Sequence, residues 1–307
     1  MRLCISAFFI TLSLTAALFA CSPSFDFNNP NDPESADYLF ISADRLTILP
    51  EEREQLGSVK VSISIPEEAD EATTVQYAVS DVATSAATAI PEDAWQPFDP
   101  ASPPCFAASR RVSVRLVRGG EVVSEVASAK FTIHPLLYSW EFDTSTESWV
   151  CDSVKSISPV EWNEAGYLSA SFNSNANPRS DPKLYSGKLE VGKGVAVPGI
   201  AFIELRLRNR SSGTKCQFYA HNADDADQKR IDVAASIVEL SFSSGETESG
   251  ADSWIRLRAD LRQNTIWSSI RLLRELRFDP ADKASDWIPD LGEGFDLDYI
   301  RLFAEGA

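Results

Sequence analysis

An all-β fold arranged as two β-sandwich domains is predicted by three features of the sequence. Four stretches of the first half alternate apolar with polar residues: "SVKVSISI" (58–65), "TVQYAVS" (74–80), "RVSVRLVR" (111–118) and "VASAKFTI" (126–133). Turn-formers such as Gly119-Gly120 and a Pro-rich loop from Pro91 to Pro104 separate them. In the second half, "FIELRLRN" and "WIRLRADL" repeat with a period of two. A composition of 44% hydrophobic and 10% aromatic residues fits a folded payload, and its length favours two domains over one. The expected division is 1–20 export signal, 21–36 tether, 37–134 first sandwich and 135–307 second sandwich.

The chain opens with Arg2 and an apolar run from Ile5 to Ala20 containing Phe8, Phe9, Ile10, Leu12 and Leu14. A membrane-spanning helix needs about 20 apolar residues with basic flanks, so this shorter run reads as a secretory signal peptide. Leu18-Phe19-Ala20-Cys21 resembles the lipobox of bacterial lipoproteins, which implies that Cys21 is acylated on sulfur and becomes the mature N-terminus. Ordinary secretion with cleavage after Ala20 is the alternative. Lipidation anchors a protein because each buried methylene contributes about 0.8 kcal/mol and several chains add up. By resemblance to the enteric sorting rule, Ser22 in place of Asp implies the outer membrane of the cell envelope. "SPSFDFNNPNDPESA" (22–36) buries too little apolar area to offset chain entropy and reads as a tether.

The formal charge is −17, and removal of Arg2 with the signal leaves −18, which disfavours nucleic acid and anionic lipid as partners. With Cys4 removed and Cys21 lipidated, Cys105, Cys151 and Cys216 allow at most one internal disulfide; free thiols are the favoured reading.

"VQYAVS", "AWQPFDP" and the closing strand pair through Ile133 resemble the immunoglobulin-like module appended to chitobiases and surface glycosidases. The resemblance implies a spacer. Tyr77 and Trp95 are a conceivable sugar platform there, although aromatics at such places more often belong to the core.

From Leu136 the chain reads "YSWEFDTSTESW", then "LSASF", "IELRLRN", "KCQFYAH", "WIRLRADL", "LLRELRFDP" and finally "GFDLDYIRLF". These residues resemble the jelly rolls of the galactose-binding-like superfamily, which includes many carbohydrate-binding modules. The helical-looking "WSSIRLLRELRFDP" lengthens the spacing between Trp267 and Arg277. In the last strand Phe295, Leu297 and Tyr299 are expected to alternate with Asp296, Asp298 and Ile300, and that strand to pair with the first. Related modules bind a structural Ca²⁺ between first and last strands, which implies Asp143 and Asp298 as ligands with Glu141 in reserve; solvated turn carboxylates explain the same residues. No other cofactor is expected.

His134 and His221 are the only histidines, and no nucleophile elbow, zinc motif, phosphate loop or dinucleotide fingerprint occurs, so an enzyme is not expected. Binding is the expectation: a glycan held by the second sandwich, with an envelope protein partner or a spacer role as the alternatives. Trp162, Tyr185, Tyr219, Trp267 and Trp287 supply ring faces, most of them destined for the core. Tyr219 and His221 share a strand face opposite Cys216, Phe218 and Ala220. Arg206 and Arg208, Arg256 and Arg258, and Arg277 each fall on one face of their strands. If those three strands share a sheet, the arginines form either a solvated ladder of Arg–Glu pairs or a cleft whose guanidinium forks bind sugar hydroxyls or uronate carboxylates, stacked by Tyr219 or His221.

Overall fold

The computed structural model describes residues 39–69, 71–84, 89–151, 157–172, 182–248, 253–282, 290 and 292–306. The signal, the whole tether with Cys21, and Trp287 lie outside the described residues. In the first part the strands are β1 (Thr47–Leu49), β2 (Glu54–Leu56), β3 (Val59–Lys60), β4 (Ser62–Ser64), β5 (Thr73–Ser80), β6 (Gln96–Pro97), β7 (Cys105–Phe106), β8 (Arg110–Arg118), β9 (Glu121–Val122) and β10 (Ala127–His134). The second part holds β11 (Leu136–Trp140), β12 (Val150–Cys151), β13 (Glu161–Asn163), β14 (Tyr167–Ser171), β15 (Leu184–Tyr185), β16 (Val195–Ala196), β17 (Phe202–Asn209), β18 (Lys215–Tyr219), β19 (Ala223–Asp224), β20 (Val238–Ser241), β21 (Glu246–Thr247), β22 (Ile255–Asp260), β23 (Leu272–Leu273), β24 (Arg277–Asp282) and β25 (Gly294–Phe303). The protein is mostly β, as the alternation predicts.

In the first part β2-β10-β8-β5-β6 form the main sheet, with small sheets β1-β4 and β3-β7 beside it. Val112, Val114 and Leu116 of β8 meet Phe131 and Ile133 of β10 and Ile48, Val59 and Val61 in one apolar core. The stretch expected as one strand over 58–65 is two, because β3 pairs with β7 and β4 with β1, so the chain changes partner at the buried Val61. Tyr77 packs toward this core, whereas Trp95 covers the guanidinium of Arg115 at 4.4 Å on the outer face. The two rings therefore lie on opposite faces of the sheet and make no joint platform, because β5 alternates its side chains.

The second part stacks a seven-stranded sheet, β13-β14-β25-β17-β22-β21 with β11 also on β25, over the five-stranded sheet β12-β15-β24-β18-β20. Their inner faces supply Leu205, Leu207, Leu257, Phe295 and Ile300 from one side and Cys216, Phe218 and Phe278 from the other. Phe218 and Phe278 stack at 4.7 Å. Between β22 and β24, α1 (Thr265–Ser269) starts at Asn264, whose side chain accepts from the backbone N–H of Ile266 and Trp267. This turn inserts the fully buried Trp267, whose Nε1 donates to the Ser236 carbonyl at 2.8 Å. Trp267 is core, but Trp162 is exposed and Tyr185 and Tyr219 are half-buried, so the expectation that most of these rings are core does not hold among the described residues. No helix among the described residues is long and apolar enough to cross a membrane.

β25 departs from strict alternation. Its register against β17 shifts between Arg206 and Leu207, which pair with Tyr299 and Leu297, so Asp298 is an extra residue. This bulge corrects the expected pattern. Phe295, Leu297, Ile300 and Leu302 face the core, while Tyr299 joins Asp296, Asp298 and Arg301 on the outer face. β11 does pair with β25, so the first and last strands of the jelly roll are neighbours.

The two parts meet with no slack. His134 ends β10, Pro135 follows and β11 begins at Leu136. His134 is 1% exposed and pairs with Leu56; Gly57 N donates to its carbonyl and Gly306 N to its Nδ1, each at 2.8 Å. Gly306 passes so close that a Cβ there would sit 2.4 Å from the Ile133 carbonyl oxygen. Phe202, Phe303, Ala201 and Leu56 fill the space between, and Arg262 reaches Glu54 at 2.7 Å. The expected boundary between the two sandwiches, at His134-Pro135, is a buried, hydrogen-bonded junction. We propose that the domains are 37–134 and 135–307, joined rigidly there.

Candidate functional site

The outer face of the seven-stranded sheet carries Glu204, Arg206 and Arg208 on β17 and Arg256 and Arg258 on β22, in neighbouring strands with Glu204 opposite Arg258 and Arg206 opposite Arg256. Two like charges directly across a ladder repel, and each arginine is offset by carboxylates. These offsets divide the face into two ends.

At one end the guanidinium groups are held tightly. Arg206 bonds both carboxylate oxygens of Glu248, at 3.1 and 2.6 Å, and Asp298 at 2.7 Å. Arg208 donates to Asp296 at 2.7 Å and Arg210 to the same oxygen at 3.1 Å; the Asp296 side chain is only 3% exposed. Trp254 lies over Arg206 at 4.6 Å and Arg208 at 5.2 Å, with Tyr167 against its edge.

At the other end a cleft of about 580 Å³ opens between this sheet and the segment from Glu52 to Ser58 of the first part. Arg256, Arg258, Glu204, Tyr299 and Arg301 line it on the sheet side. The pairs here are loose: Arg256 stands 3.5 Å from Glu246 and Arg258 3.5 Å from Glu52. Arg301 is the exception, forked onto Glu141 at 2.9 and 2.7 Å and laid over the Tyr299 ring at 3.9 Å. That fork holds the Glu141 carboxyl below the usual carboxylate range, while burial, reinforced by Glu204, pushes the Tyr299 hydroxyl up. Tyr299 OH donates to Glu204 Oε1 at 3.2 Å. The Glu204 side chain is 13% exposed, and its Oε2 has no hydrogen-bond donor among the described residues. A fixed acceptor, a locked phenol and two loosely paired guanidinium forks, one of them over the Phe202 ring at 4.6 Å, are thus brought to one concave surface.

The structure gathers Arg256 and Arg258 in the cleft and leaves Arg206 and Arg208 at the locked end. It also separates Tyr219 and His221 from all four: their strand, β18, belongs to the five-stranded sheet, as does β24 with Arg277. The three arginine strands do not share a sheet, because the apolar core lies between β17-β22 and β24-β18. Tyr219 instead packs beneath Arg277, 4.2 Å from its ring, and cannot stack a sugar in the arginine cleft. Five glutamates and three arginines line the cleft, so the expected preference for uronate carboxylates finds no excess positive charge there.

The Ca²⁺ expectation meets a similar obstacle. Asp298 is engaged by Arg206, and Asp143 lies at the Gly166 turn. No group of three or more His, Cys, Asp or Glu side chains placed to hold a metal occurs among the described residues, whereas Ca²⁺ sites take about six to eight oxygens, several of them from carboxylates. Glu141, in reserve, is committed to Arg301. The donor set does not fit the ion.

Tyr299 and Arg301 were missed in the sequence, whereas the alternation in "FIELRLRN" puts Glu204 on the charged face with Arg206 and Arg208. A strict period of two turns Tyr299 into the core; only the bulge at Asp298 turns it out.

No protein-family model matches the chain, and no curated protein matches it. Among solved structures it is similar to TmCBM27, a carbohydrate-binding module described for specific mannan recognition, with 13% identity over 56% of this chain and 98% of that one and a TM-score of 0.32. It is also similar to the module CBM6cm-2 from Cellvibrio mixtus lichenase 5A in complex with cellotriose, at 10% identity, 55% and 97% coverage and a TM-score of 0.27. A SusE-like protein, BT2857, matches at 9% identity over 88% of this chain and 99% of that one, TM-score 0.24. At these values none of the matches places a residue of the site.

Proposed function

We propose that this chain is a non-catalytic envelope lipoprotein, anchored through Cys21, that binds a neutral glycan in the cleft between its two parts. The observation that carries the reading is the composition of that cleft. Its volume of about 580 Å³ lies in the range of ligand sites, roughly 300–1,000 Å³. Planar guanidinium and carboxylate groups match the donors and acceptors of vicinal hydroxyls. Five glutamates against three arginines leave the lining net negative, which favours a neutral sugar over an acidic one. Bulges are over-represented beside functional sites, which fits the way Tyr299 arrives there.

The test is a glycan array on the soluble form lacking the first twenty-one residues, followed by calorimetry with the best ligand. The reading expects neutral glycans to be retained; silence across the array would refute it. Labelled palmitate should enter the wild type and not Cys21→Ala, which should be released into soluble fractions.

A further inference from the structure

We infer that a second site for a single hydroxylated ring lies on the opposite side of the second sandwich, where Tyr185, His221, Asn222 and Glu275 meet. It goes beyond the cleft and shares no residue with it. Three segments converge here, and backbone bonds fix each one. Ser186 N donates to the Leu276 carbonyl at 3.0 Å, Leu276 N returns a bond to Ser186 Oγ at 2.9 Å, and Arg274 N donates to the Asn222 carbonyl at 3.0 Å. Asn222 makes the turn after β18 with φ of 53°, a left-handed conformation that Asn tolerates better than most residues. The site is therefore preorganised before any ligand arrives.

Its chemistry is specific. His221 Nδ1 bonds Glu275 Oε2, and Asn222 Nδ2 donates to the same oxygen at 2.9 Å. The Glu275 side chain is 13% exposed and its Oε1 has no donor among the described residues. The His221 side chain is 33% exposed, and its ring meets that of Tyr185 at 5.1 Å and 59°. Two rings thus make a corner, with a nearly buried carboxylate oxygen held beside it as acceptor. A sugar ring offers C–H groups to the corner and a hydroxyl donor to Oε1. A carboxylate or phosphate ligand would be repelled by Glu275. Because the core of the sandwich separates this corner from the cleft, one molecule would carry two glycan sites facing different ways, the condition for bridging two chains.

The two histidines of the sequence make the test direct. His134 is buried at the junction, so in NMR its imidazole signal reports the fold while the His221 signal reports the corner. The mature chain is titrated with mannohexaose, cellohexaose, xylohexaose and chitohexaose. A saturable shift of the His221 signal is expected with at least one, weakened tenfold or more in Tyr185→Ala and in the isosteric Glu275→Gln, with the ligand-free His134 signal of each variant the same as in wild type. The same shift is expected to persist in Arg256→Ala/Arg258→Ala, so failure of the cleft reading leaves this result standing. The inference is overturned if no oligosaccharide moves the His221 signal, or if its shift disappears with the cleft substitutions.

Discussion

Two neighbouring strands of one sheet face carry the same residue types, β17 with Arg206 and Arg208 and β22 with Arg256 and Arg258, and hold them differently. At the Trp254 end, Arg206, Arg208 and Arg210 are locked onto Asp296, Asp298 and Glu248 beneath an indole. At the cleft end, Arg256 and Arg258 reach exposed glutamates only at 3.5 Å, and Arg258 also lies over the Phe202 ring at 4.6 Å. The difference follows from the partners each strand finds: β17 faces the carboxylates of β25 and Glu248, whereas β22 reaches only exposed glutamates.

The largest expected effect falls at the locked end. Asp296→Ala leaves Arg208 and Arg210 half-buried without their shared carboxylate, and breaking a buried pair by removing one partner costs about 3–5 kcal/mol. Urea unfolding should show that loss; a change under about 1 kcal/mol would mean the two ends do not differ in burial of charge. Arg206→Ala comes next, at about 1–3 kcal/mol for its charge-assisted bonds, with glycan affinity unchanged. A parallel loss of affinity would merge the two ends into one site.

The junction that forms one wall of the cleft sharpens the comparison through pH. Burial pushes the His134 imidazole below its ordinary 6.5, against the opposing pull of Glu54. The unfolded chain then binds the proton more readily, so this contribution to stability is complete above pH 6.5 and is lost progressively as pH falls below it. Protonation would also take from Nδ1 its bond with Gly306 N. Each unit of depression is worth about 1.4 kcal/mol, and His134→Gln should flatten the slope of stability between pH 6.5 and 5. The smallest effect is Arg256→Ala, whose exposed pair is worth about 0–1 kcal/mol and whose loss should barely move the unfolding midpoint.

Most of the fold was legible because buried strands must alternate: β5, β8, β10, β17 and β22 fall where the pattern puts them. The candidate site was half legible. Arg256 and Arg258 announce themselves by period, but whether a strand belongs to one sheet or the other is a long-range fact, and that hid the separation of Tyr219 and His221 from the arginines. Tyr299 was hidden by a one-residue bulge, a local event with no glycine or proline to mark it. The His134-Pro135 junction misled for a similar reason, since Pro135 looks like a break in sequence and is a hinge point only if nothing covers it; Gly306 and Gly57 do.

Calorimetry of the best array ligand against Arg256→Ala/Arg258→Ala, beside Arg206→Ala, tests the central claim most directly. The account predicts that the cleft pair weakens binding by about 1–3 kcal/mol per lost charge-assisted bond while unfolding stays near wild type, and that Arg206→Ala does the reverse. Unchanged affinity in the cleft variant, with affinity lost in Arg206→Ala, would contradict it.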